Sequence, residues 1–255
     1  MTLDRISSKR VLVRFDFNVP MKNGTIVNDF RIRQSFKTIK KLLENDNKII
    51  IVSHLGRPTE GVYDESLSLK PICKHLSEFL NTNIKFFNSY KDDIKFKDYK
   101  IAMLENVRFN SGEKSCDSNL SKAYASLADH FVFDAFGVSH RKECTTYGIS
   151  DYLTTHAGHN ISNEIKIINK LINENSKPMT IIISGAKVST KLIVIKKLLD
   201  KCDFMILGGG ILNTFLKAKG NEIGKSLYEK DLVNEAKSIL NSTLASKIVL
   251  PSDLT

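Results

Sequence analysis

The chain has 255 residues, of which 42% are hydrophobic and 26% are charged. This composition can form a packed core, which excludes an intrinsically disordered chain, and the length suits one large domain or two small ones. No apolar run reaches the ~18 residues of a membrane span, and the first residues lack the apolar core of a secretion signal. We therefore expect a cytoplasmic protein without a membrane partner.

The four cysteines are far apart and form no Cys-x-x-Cys pair; they are Cys73, Cys116, Cys144 and Cys202. This spacing argues against a disulfide framework and against a zinc site, so we expect reduced thiols and no metal held by protein side chains.

The net charge is +10, with 38 Lys and Arg residues against 28 Asp and Glu residues. Such a charge suits an anionic partner, either nucleic acid, a membrane surface or a phosphorylated metabolite. The sequence has no basic tail, zinc-finger spacing or aromatic–basic RNA-binding motif, so we predict no nucleic-acid partner. A nucleic-acid-binding domain remains an alternative, and it predicts salt-sensitive binding in gel shifts.

Short apolar runs alternate with helical segments along the chain. The predicted strands are Arg10–Phe15, Lys48–Val52, Ile101–Leu104, His130–Phe133, Thr180–Ser184, Phe204–Leu207 and Lys247–Leu250. The predicted helices are Arg31–Glu44, Leu69–Leu80, Asn119–Leu127, Ile161–Asn173, Lys187–Leu199, Ile211–Ala218 and Lys230–Leu240. This alternation predicts an α/β fold with parallel strands, buried on both faces and joined by right-handed crossovers. A polar stretch before Pro178 predicts a domain boundary between about residues 155 and 180, with an ordinary crossover inside one long sheet as the alternative.

Polar and basic residues follow each of the first four predicted strands. Ligands of open parallel sheets bind beyond the carboxyl ends of the strands, so these residues are candidates for one site. A single loop arginine such as Arg57 is usually solvated, but several arginines at one sheet edge repel each other unless an anion binds there. Guanidinium groups pair with carboxylate and phosphate oxygens, which predicts a pocket for a small ligand carrying both groups. The residues in question are Asp16, Asn18, Arg31, His54, Gly56, Arg57, Arg108 and Arg141.

Two glycine-containing turns follow the fifth and sixth predicted strands. One is Ser184-Gly185-Ala-Lys187 with Lys191 beyond it, and the other is Gly208-Gly209-Gly210; each is predicted to lead directly into a helix. Backbone N–H groups at such turns, with lysines nearby, favour a nucleotide phosphate site, although a tight strand–helix turn alone also explains three glycines. The stretch from Gly220 to Ser226 has one residue too few for a Walker A loop and is predicted to be a surface turn.

Taken in order, these motifs resemble the phosphoglycerate kinase family of the bacterial type. The motifs include RVLVRFDFNVP, VSHLGRP, DAFGVSHR, SGAKVSTKL and GGGILNTF, and the resemblance runs from about Arg10 to the last residue. It implies a three-layer α/β protein of two Rossmann-like domains joined by a hinge helix, with the second domain incomplete. The implied parts are a triose-phosphate-binding domain at 1–158, a hinge helix and linker at 159–177, and a partial nucleotide-binding domain at 178–255.

The resemblance also implies an activity and its residues. The activity is reversible phosphoryl transfer between 1,3-bisphosphoglycerate with ADP and 3-phosphoglycerate with ATP, with Mg²⁺ bound to the nucleotide, by a monomer of glycolysis and gluconeogenesis. The catalytic residues would be Arg31, Lys187 and Lys191. The triose ligands would be Asp16, Phe17, Asn18, Arg31, His54, Leu55, Gly56, Arg57, Arg108 and Arg141. The nucleotide ligands would be Gly185, Lys187, Lys191, Gly208, Gly209 and Gly210.

Three departures from the family pattern affect these expectations. Ser184 replaces a glycine and is expected to crowd the nucleotide, and His159 replaces a proline at the start of the hinge helix. Family members continue beyond Thr255 with an acidic ribose ligand, a Gly-Gly-Asp phosphate loop and a returning C-terminal segment. The alternative function is therefore a noncatalytic remnant that binds triose phosphate only. We also expect strand edges and apolar helix faces without partners in residues 180–255.

Overall fold

The structure is a computed structural model that describes residues 3–173 and 177–251. The chain divides into two compact units, Met1–Ile167 and Ile168–Thr255. The strands are β1 (Arg10–Phe15), β2 (Met21–Lys22), β3 (Thr25–Ile26), β4 (Lys48–Val52), β5 (Ile84–Phe87), β6 (Ile101–Leu104), β7 (His130–Asp134), β8 (Thr155–Ala157), β9 (Thr180–Ser184), β10 (Phe204–Gly208) and β11 (Ile248–Val249). The helices are α1 (Phe30–Gln34), α2 (Phe36–Glu44), α3 (Lys70–Leu80), α4 (Ser118–Ala125), α5 (His159–Asn173), α6 (Leu192–Leu199), α7 (Gly209–Ala218) and α8 (Val233–Leu240). No helix in the described ranges is long and apolar enough to span a membrane.

The first unit is built on a six-stranded parallel sheet with the order β5-β6-β4-β1-β7-β8. Successive residues of its central strands point to opposite faces, as in any strand. Val11 and Val13 enter one hydrophobic cluster, whereas Leu12 enters a second cluster with Ile50 and Phe131, its partners on the neighbouring strands. Both faces of the sheet are therefore covered, and the predicted three-layer α/β arrangement is confirmed.

Helix α5 begins at His159. The carboxylate of Asp134, at the end of β7, accepts hydrogen bonds from the backbone N–H groups of Asn160 (2.8 Å) and Ile161 (3.1 Å). Thr38 Oγ1 accepts from the backbone N–H of His159 at 2.9 Å. These contacts satisfy donors of the first helical turn that have no partner within the helix. The histidine at this position is thus compatible with a helix start.

The second unit contains a parallel sheet with the order β11-β10-β9. One face is covered, because Ile183, Met205 and Leu207 are buried in a cluster with the helices of this unit. On the other face Ile182 is 71% exposed and Ile206 is 38% exposed, and the two are direct neighbours in the register of β9 and β10. This sheet therefore has an exposed apolar face, a feature different from the unpartnered strand edges and helix faces that the sequence analysis expected.

Several predicted element boundaries are wrong. The helix predicted from Lys187 begins five residues later, at Leu192, because Ser189 bonds the Glu229 carboxylate through its backbone N–H (2.9 Å) and its hydroxyl (2.7 Å). Such a bond offers the backbone an alternative to the helix. The helix predicted over residues 31–44 is interrupted at Ser35, whose hydroxyl donates to the Ile32 carbonyl at 2.7 Å. The prediction that the Gly208–Gly210 turn opens a helix is confirmed, as is the turn at 220–226.

Candidate functional site

The loops that follow β6, β4, β1 and β7 lie side by side, since these strands are consecutive neighbours in the parallel sheet. The predicted triose ligands on those loops therefore share the carboxyl edge of the sheet, as the sequence analysis expected. Arg31 reaches the same edge from α1, because it contacts residues of the loop after β1.

A hydrogen-bond network joins the loops after β1 and β4. Arg31 Nη1 donates to Asp16 Oδ2 at 3.0 Å and to the Asn18 carbonyl at 3.1 Å. Asn18 Oδ1 accepts from the backbone N–H of Gly56 at 2.9 Å. A Cβ on Gly137 would lie 2.8 Å from Asp16 Oδ2, so glycine permits the loop after β7 to approach the same carboxylate. The side chains of Asp16 and Asn18 are thus held in place at the edge of the sheet.

Arg108 and Arg141 converge on one carboxylate. Arg108 is buried, and it donates to the Gly56 carbonyl at 2.8 Å and to Glu143 Oε1 at 3.3 Å. Arg141 Nη1 lies 3.5 Å from the same Glu143 oxygen. The Nε donors of both arginines are buried without a partner in the described parts of the chain. Glu143 Oε2 is also buried without a partner there, but one carboxylate faces two guanidinium groups, so this cluster has an excess of positive charge that favours an anionic ligand.

Arg57 is exposed and forms no hydrogen bond or ion pair with the residues that the structure describes. Its guanidinium is therefore free to bind a ligand. Phe17 and Leu55 differ from the other predicted ligands, because both side chains belong to the hydrophobic core. Only their backbone groups can face a ligand, and the N–H of Phe17 already donates to Ser53 Oγ at 2.9 Å.

His54 is almost fully buried, and its Nδ1 lies 3.1 Å from Nη2 of Arg14. Burial, and then the positive charge of Arg14 and of the arginines at this edge, lowers the pKa of His54 to about 2. The imidazole is neutral at physiological pH, because burial and the neighbouring positive charges both disfavour its protonated form. The sequence analysis missed Arg14; the available signal was a charged residue inside the apolar run of β1.

In the second unit, the turns after β9 and β10 pack backbone against backbone. A Cβ on Gly210 would lie 2.4 Å from the Ala186 carbonyl oxygen, and Gly209 has a φ of +60°. The backbone N–H of Ile211 donates to the Gly185 carbonyl at 3.1 Å. Glycine is therefore required at positions 209 and 210, the first by its backbone conformation and the second by close approach. The predicted nucleotide residues on the two turns are brought together.

Both predicted catalytic lysines of this unit, Lys187 and Lys191, are exposed, and neither side chain forms a hydrogen bond or salt bridge in the described ranges. They lie in the turn before α6 rather than in the helix itself, Lys191 being the residue that precedes it. Ser184 packs against the second turn, since its Oγ lies 3.0 Å from the position that a Cβ on Gly208 would occupy. The hydrogen bonds from Ser189 lower the pKa of Glu229, the acidic residue tied to this turn, and the charge of Lys187 contributes to this lowering.

The residues described by the structure do not form a protein cage for a metal ion. No group of three or more His, Cys, Asp or Glu side chains converges there in a metal-binding arrangement. Glu229 is bonded to Ser189. Any divalent ion at these turns would depend on ligands from a bound nucleotide.

Comparisons with known proteins agree with the resemblance. The sequence model of the phosphoglycerate kinase family matches residues 2–255. The phosphoglycerate kinase of Francisella tularensis subsp. novicida is 48% identical over 247 residues, which are 96% of this chain and 63% of the relative. That of Francisella philomiragia subsp. philomiragia is 46% identical over 252 residues, which are 98% of this chain and 64% of the relative.

Solved structures show the same fold. The structure of phosphoglycerate kinase from Coxiella burnetii matches with a TM-score of 0.84 at 40% identity, over 96% of this chain and 64% of that chain. The phosphoglycerate kinase from Pyrococcus horikoshii OT3 matches with a TM-score of 0.82 at 27% identity, over 96% of this chain and 65% of that chain. The chain thus spans less than two thirds of the length of these relatives. It belongs to the phosphoglycerate kinase family.

Proposed function

We propose that this chain binds 3-phosphoglycerate or 1,3-bisphosphoglycerate at the arginine-rich edge of the first sheet and takes part in phosphoryl transfer to and from ADP and ATP. The observation that carries the proposal is the excess of guanidinium groups over carboxylates at this edge. Arg57 is unpaired, and the Nε donors of Arg108 and Arg141 are buried without a partner. A ligand with a carboxylate at one end and a phosphate at the other supplies the missing acceptors.

Each predicted residue has a role in this proposal. Asp16 accepts a hydrogen bond from the ligand hydroxyl and the side-chain amide of Asn18 donates one to it. The neutral His54 donates a hydrogen bond, and the backbone of Phe17, Leu55 and Gly56 lines the pocket. The stationary phosphate and carboxylate are bound by Arg57, Arg108 and Arg141. In this assignment the triose domain is 1–158, the hinge helix and linker are 159–177, and the nucleotide part is 178–255.

The nucleotide phosphates bind at the two turns of the second unit, where Gly185 and Gly208–Gly210 present backbone N–H groups. Lys187 and Lys191 are free to pair with phosphate oxygens, which supports their assignment there. When bound, Mg²⁺ comes with ATP or ADP and neutralises phosphate charge.

The transfer needs no covalent intermediate with the protein, because catalysis of phosphoryl transfer depends on positioning and on stabilisation of charge. Arg31, Lys187 and Lys191 are proposed to stabilise the transferring phosphoryl group. Arg31 is already oriented by Asp16, so its guanidinium is held in place before a ligand arrives. The proposal is for a cytoplasmic monomer without nucleic-acid or membrane partners.

The alternative proposal is a protein that binds triose phosphate without turnover. It is supported by the length of the match, since the chain covers 63% of the Francisella tularensis subsp. novicida relative. The first unit carries all of the proposed triose ligands. The two proposals agree on triose binding and differ in whether the 255-residue chain also binds the nucleotide and completes the transfer.

Titration calorimetry with 3-phosphoglycerate tests the binding proposal. We expect Arg57→Ala to weaken binding by about 1.5–3 kcal/mol, the value of a hydrogen bond to a charged group. The matched control is Arg10→Ala. Arg10 is the first residue of β1, whose last residue lies at the site; the length of the strand separates the two ends by about 17 Å. The guanidinium of Arg10 lies over the Phe96 ring. Equal affinity of the two variants would contradict the assignment of Arg57.

A coupled assay with ATP and 3-phosphoglycerate then separates the alternatives. Turnover by the 255-residue chain, abolished in the Lys191→Ala variant, supports the kinase. Binding without turnover supports the binding-only protein. If neither binding nor turnover is detected while the circular dichroism spectrum shows a folded chain, both proposals are wrong.

A further inference from the structure

Arg14 is a fully buried charged residue within the central strand of the first sheet. Four of its contacts are hydrogen bonds to well-defined partners. Nη1 donates to the Phe15 carbonyl at 2.6 Å and lies 3.4 Å from Ser53 Oγ, while Nε donates to Thr145 Oγ1 at 3.1 Å. Nη2 lies 3.1 Å from Nδ1 of His54. The guanidinium is thus fixed on several sides and has little freedom to reorient.

Arg14 is linked to a second buried residue, Glu113, through the hydroxyl of Thr145. The hydroxyl of Thr145 accepts from Arg14 Nε, so its own hydrogen is free to donate to Glu113 Oε1 at 2.5 Å. Glu113 also accepts from the backbone N–H of Thr145 at 3.2 Å. A row of polar groups therefore runs from Glu113 through Thr145 and Arg14 to His54. Such a row is stable only when each donor meets an acceptor.

This donor–acceptor pattern leaves one role for Nδ1 of His54. A guanidinium has five N–H donors and no acceptor, so the nitrogen that faces Arg14 Nη2 must be the unprotonated one. In a neutral imidazole the hydrogen is then on Nε2. We propose that Arg14 is a positioning residue that holds His54 in the neutral tautomer protonated at Nε2, so that Nε2–H donates a hydrogen bond to an oxygen of the bound ligand.

Two observations support this assignment. The depressed pKa of His54, caused first by burial and next by Arg14, agrees with a neutral ring. Nε2 makes no hydrogen bond with the described residues, yet it is not among the buried atoms that lack a partner. It is therefore open to a ligand. The identity of that ligand depends on the proposed function, whereas the tautomer does not.

The tautomer is measured directly on the full chain labelled with ¹⁵N-histidine. In a long-range ¹H–¹⁵N correlation spectrum at about pH 7, we expect His54 to show a protonated Nε2 and an unprotonated Nδ1. A matched histidine variant, His54→Gln, assigns the signals, and the exposed His140 is the reference in the same spectrum. A charged ring, or a neutral ring protonated at Nδ1, would overturn the proposal without any substitution at Arg14.

Substitution tests the role of Arg14 itself. Arg14→Met keeps the length of the side chain but removes every donor, so we expect His54 to lose its single tautomer. Thr145→Val removes the bond to Nε and leaves the contact with His54, so we expect the tautomer to be retained. An unchanged tautomer in Arg14→Met would overturn the proposal; if that variant does not fold, the wild-type spectrum decides.

Calorimetry separates this inference from the proposed function. With 3-phosphoglycerate as the probe, we expect Arg14→Met to lose about tenfold or more in affinity, the equivalent of one hydrogen bond to a charged group. Wild-type affinity in a folded Arg14→Met variant would overturn the positioning role. If the wild-type chain shows the expected tautomer but does not bind 3-phosphoglycerate, the proposed function is wrong and the positioning of His54 stands.

Discussion

Replacing Asp134 by alanine is expected to destabilise the first unit by about 2–4 kcal/mol and to loosen the start of α5. The loss of the carboxylate that caps the backbone N–H groups of Asn160 and Ile161 costs about 0.5–2 kcal/mol. The other oxygen accepts from Thr38 Oγ1 at 2.6 Å and from the Asn160 side-chain amide at 3.0 Å, and hydrogen bonds to a charged group contribute about 1.5–3 kcal/mol. Burial of the carboxylate, which raises the pKa of Asp134, offsets part of the sum.

Urea unfolding followed by the near-ultraviolet circular dichroism of tyrosine measures this loss, because six of the seven tyrosines lie in residues 1–167. The matched control is Asp134→Asn, whose amide oxygen can still accept from the two backbone N–H groups. We expect the asparagine variant to lose less stability and to keep the hydrogen-exchange protection of Asn160 and Ile161. If Asp134→Ala changes the free energy of unfolding by less than about 0.5 kcal/mol and leaves that protection intact, the capping argument is refuted.

Two other predictions concern buried charge and exposed apolar surface. Burial raises the pKa of Glu113 from 4.5 to about 7, so the folded state binds the proton more tightly, and stability declines as the pH rises between these values. In urea unfolding, we expect the free energy of unfolding of the wild type to fall by about 3 kcal/mol between about pH 4.5 and about pH 7.5, and that of Glu113→Gln to lack this decrease. The same pH dependence in variant and wild type would contradict the prediction. Ile206→Thr is expected to reduce the binding of an apolar dye without loss of the β-sheet signal, whereas Ile183→Thr, on the covered face, is expected to destabilise the second unit. Unchanged dye binding by the first variant would mean that the face is covered in solution.

In the six-stranded sheet the inner strands could be predicted from the sequence, whereas the edge strands could not. The bounds of β1, β4 and β6 agree with the prediction because each is an apolar run long enough to be recognised without periodicity. The strands Ile84–Phe87 and Thr155–Ala157 were missed. Both lie at the outer edges of the sheet, where fewer residues are buried and the sequence pattern is correspondingly weak.

The grouping of ligand candidates at one sheet edge was also predictable, since it follows from the parallel order of the strands. Arg14 and its connection through Thr145 to Glu113 were not found, because the contact with Thr145 joins residues 131 positions apart. A sequence shows that a charge lies within an apolar strand, but only the folded chain shows which group compensates it. Buried networks of this kind depend on tertiary packing, which no local pattern encodes.

The two units differ in which kind of surface is left without a partner, and this difference bears on what each one binds. In the first unit the buried polar atoms without a partner among the described residues are the Nε donors of Arg108 and Arg141, one carboxylate oxygen each of Glu113 and Glu143, and His156 Nδ1. Such donors are satisfied by oxygen atoms, which a small anionic ligand or water can provide. In the second unit the exposed groups are the aliphatic side chains of Ile182 and Ile206, which gain nothing from a small polar ligand. Parallel sheets are normally covered on both faces by polypeptide, so the physical counterpart of this surface is a protein layer with an apolar face.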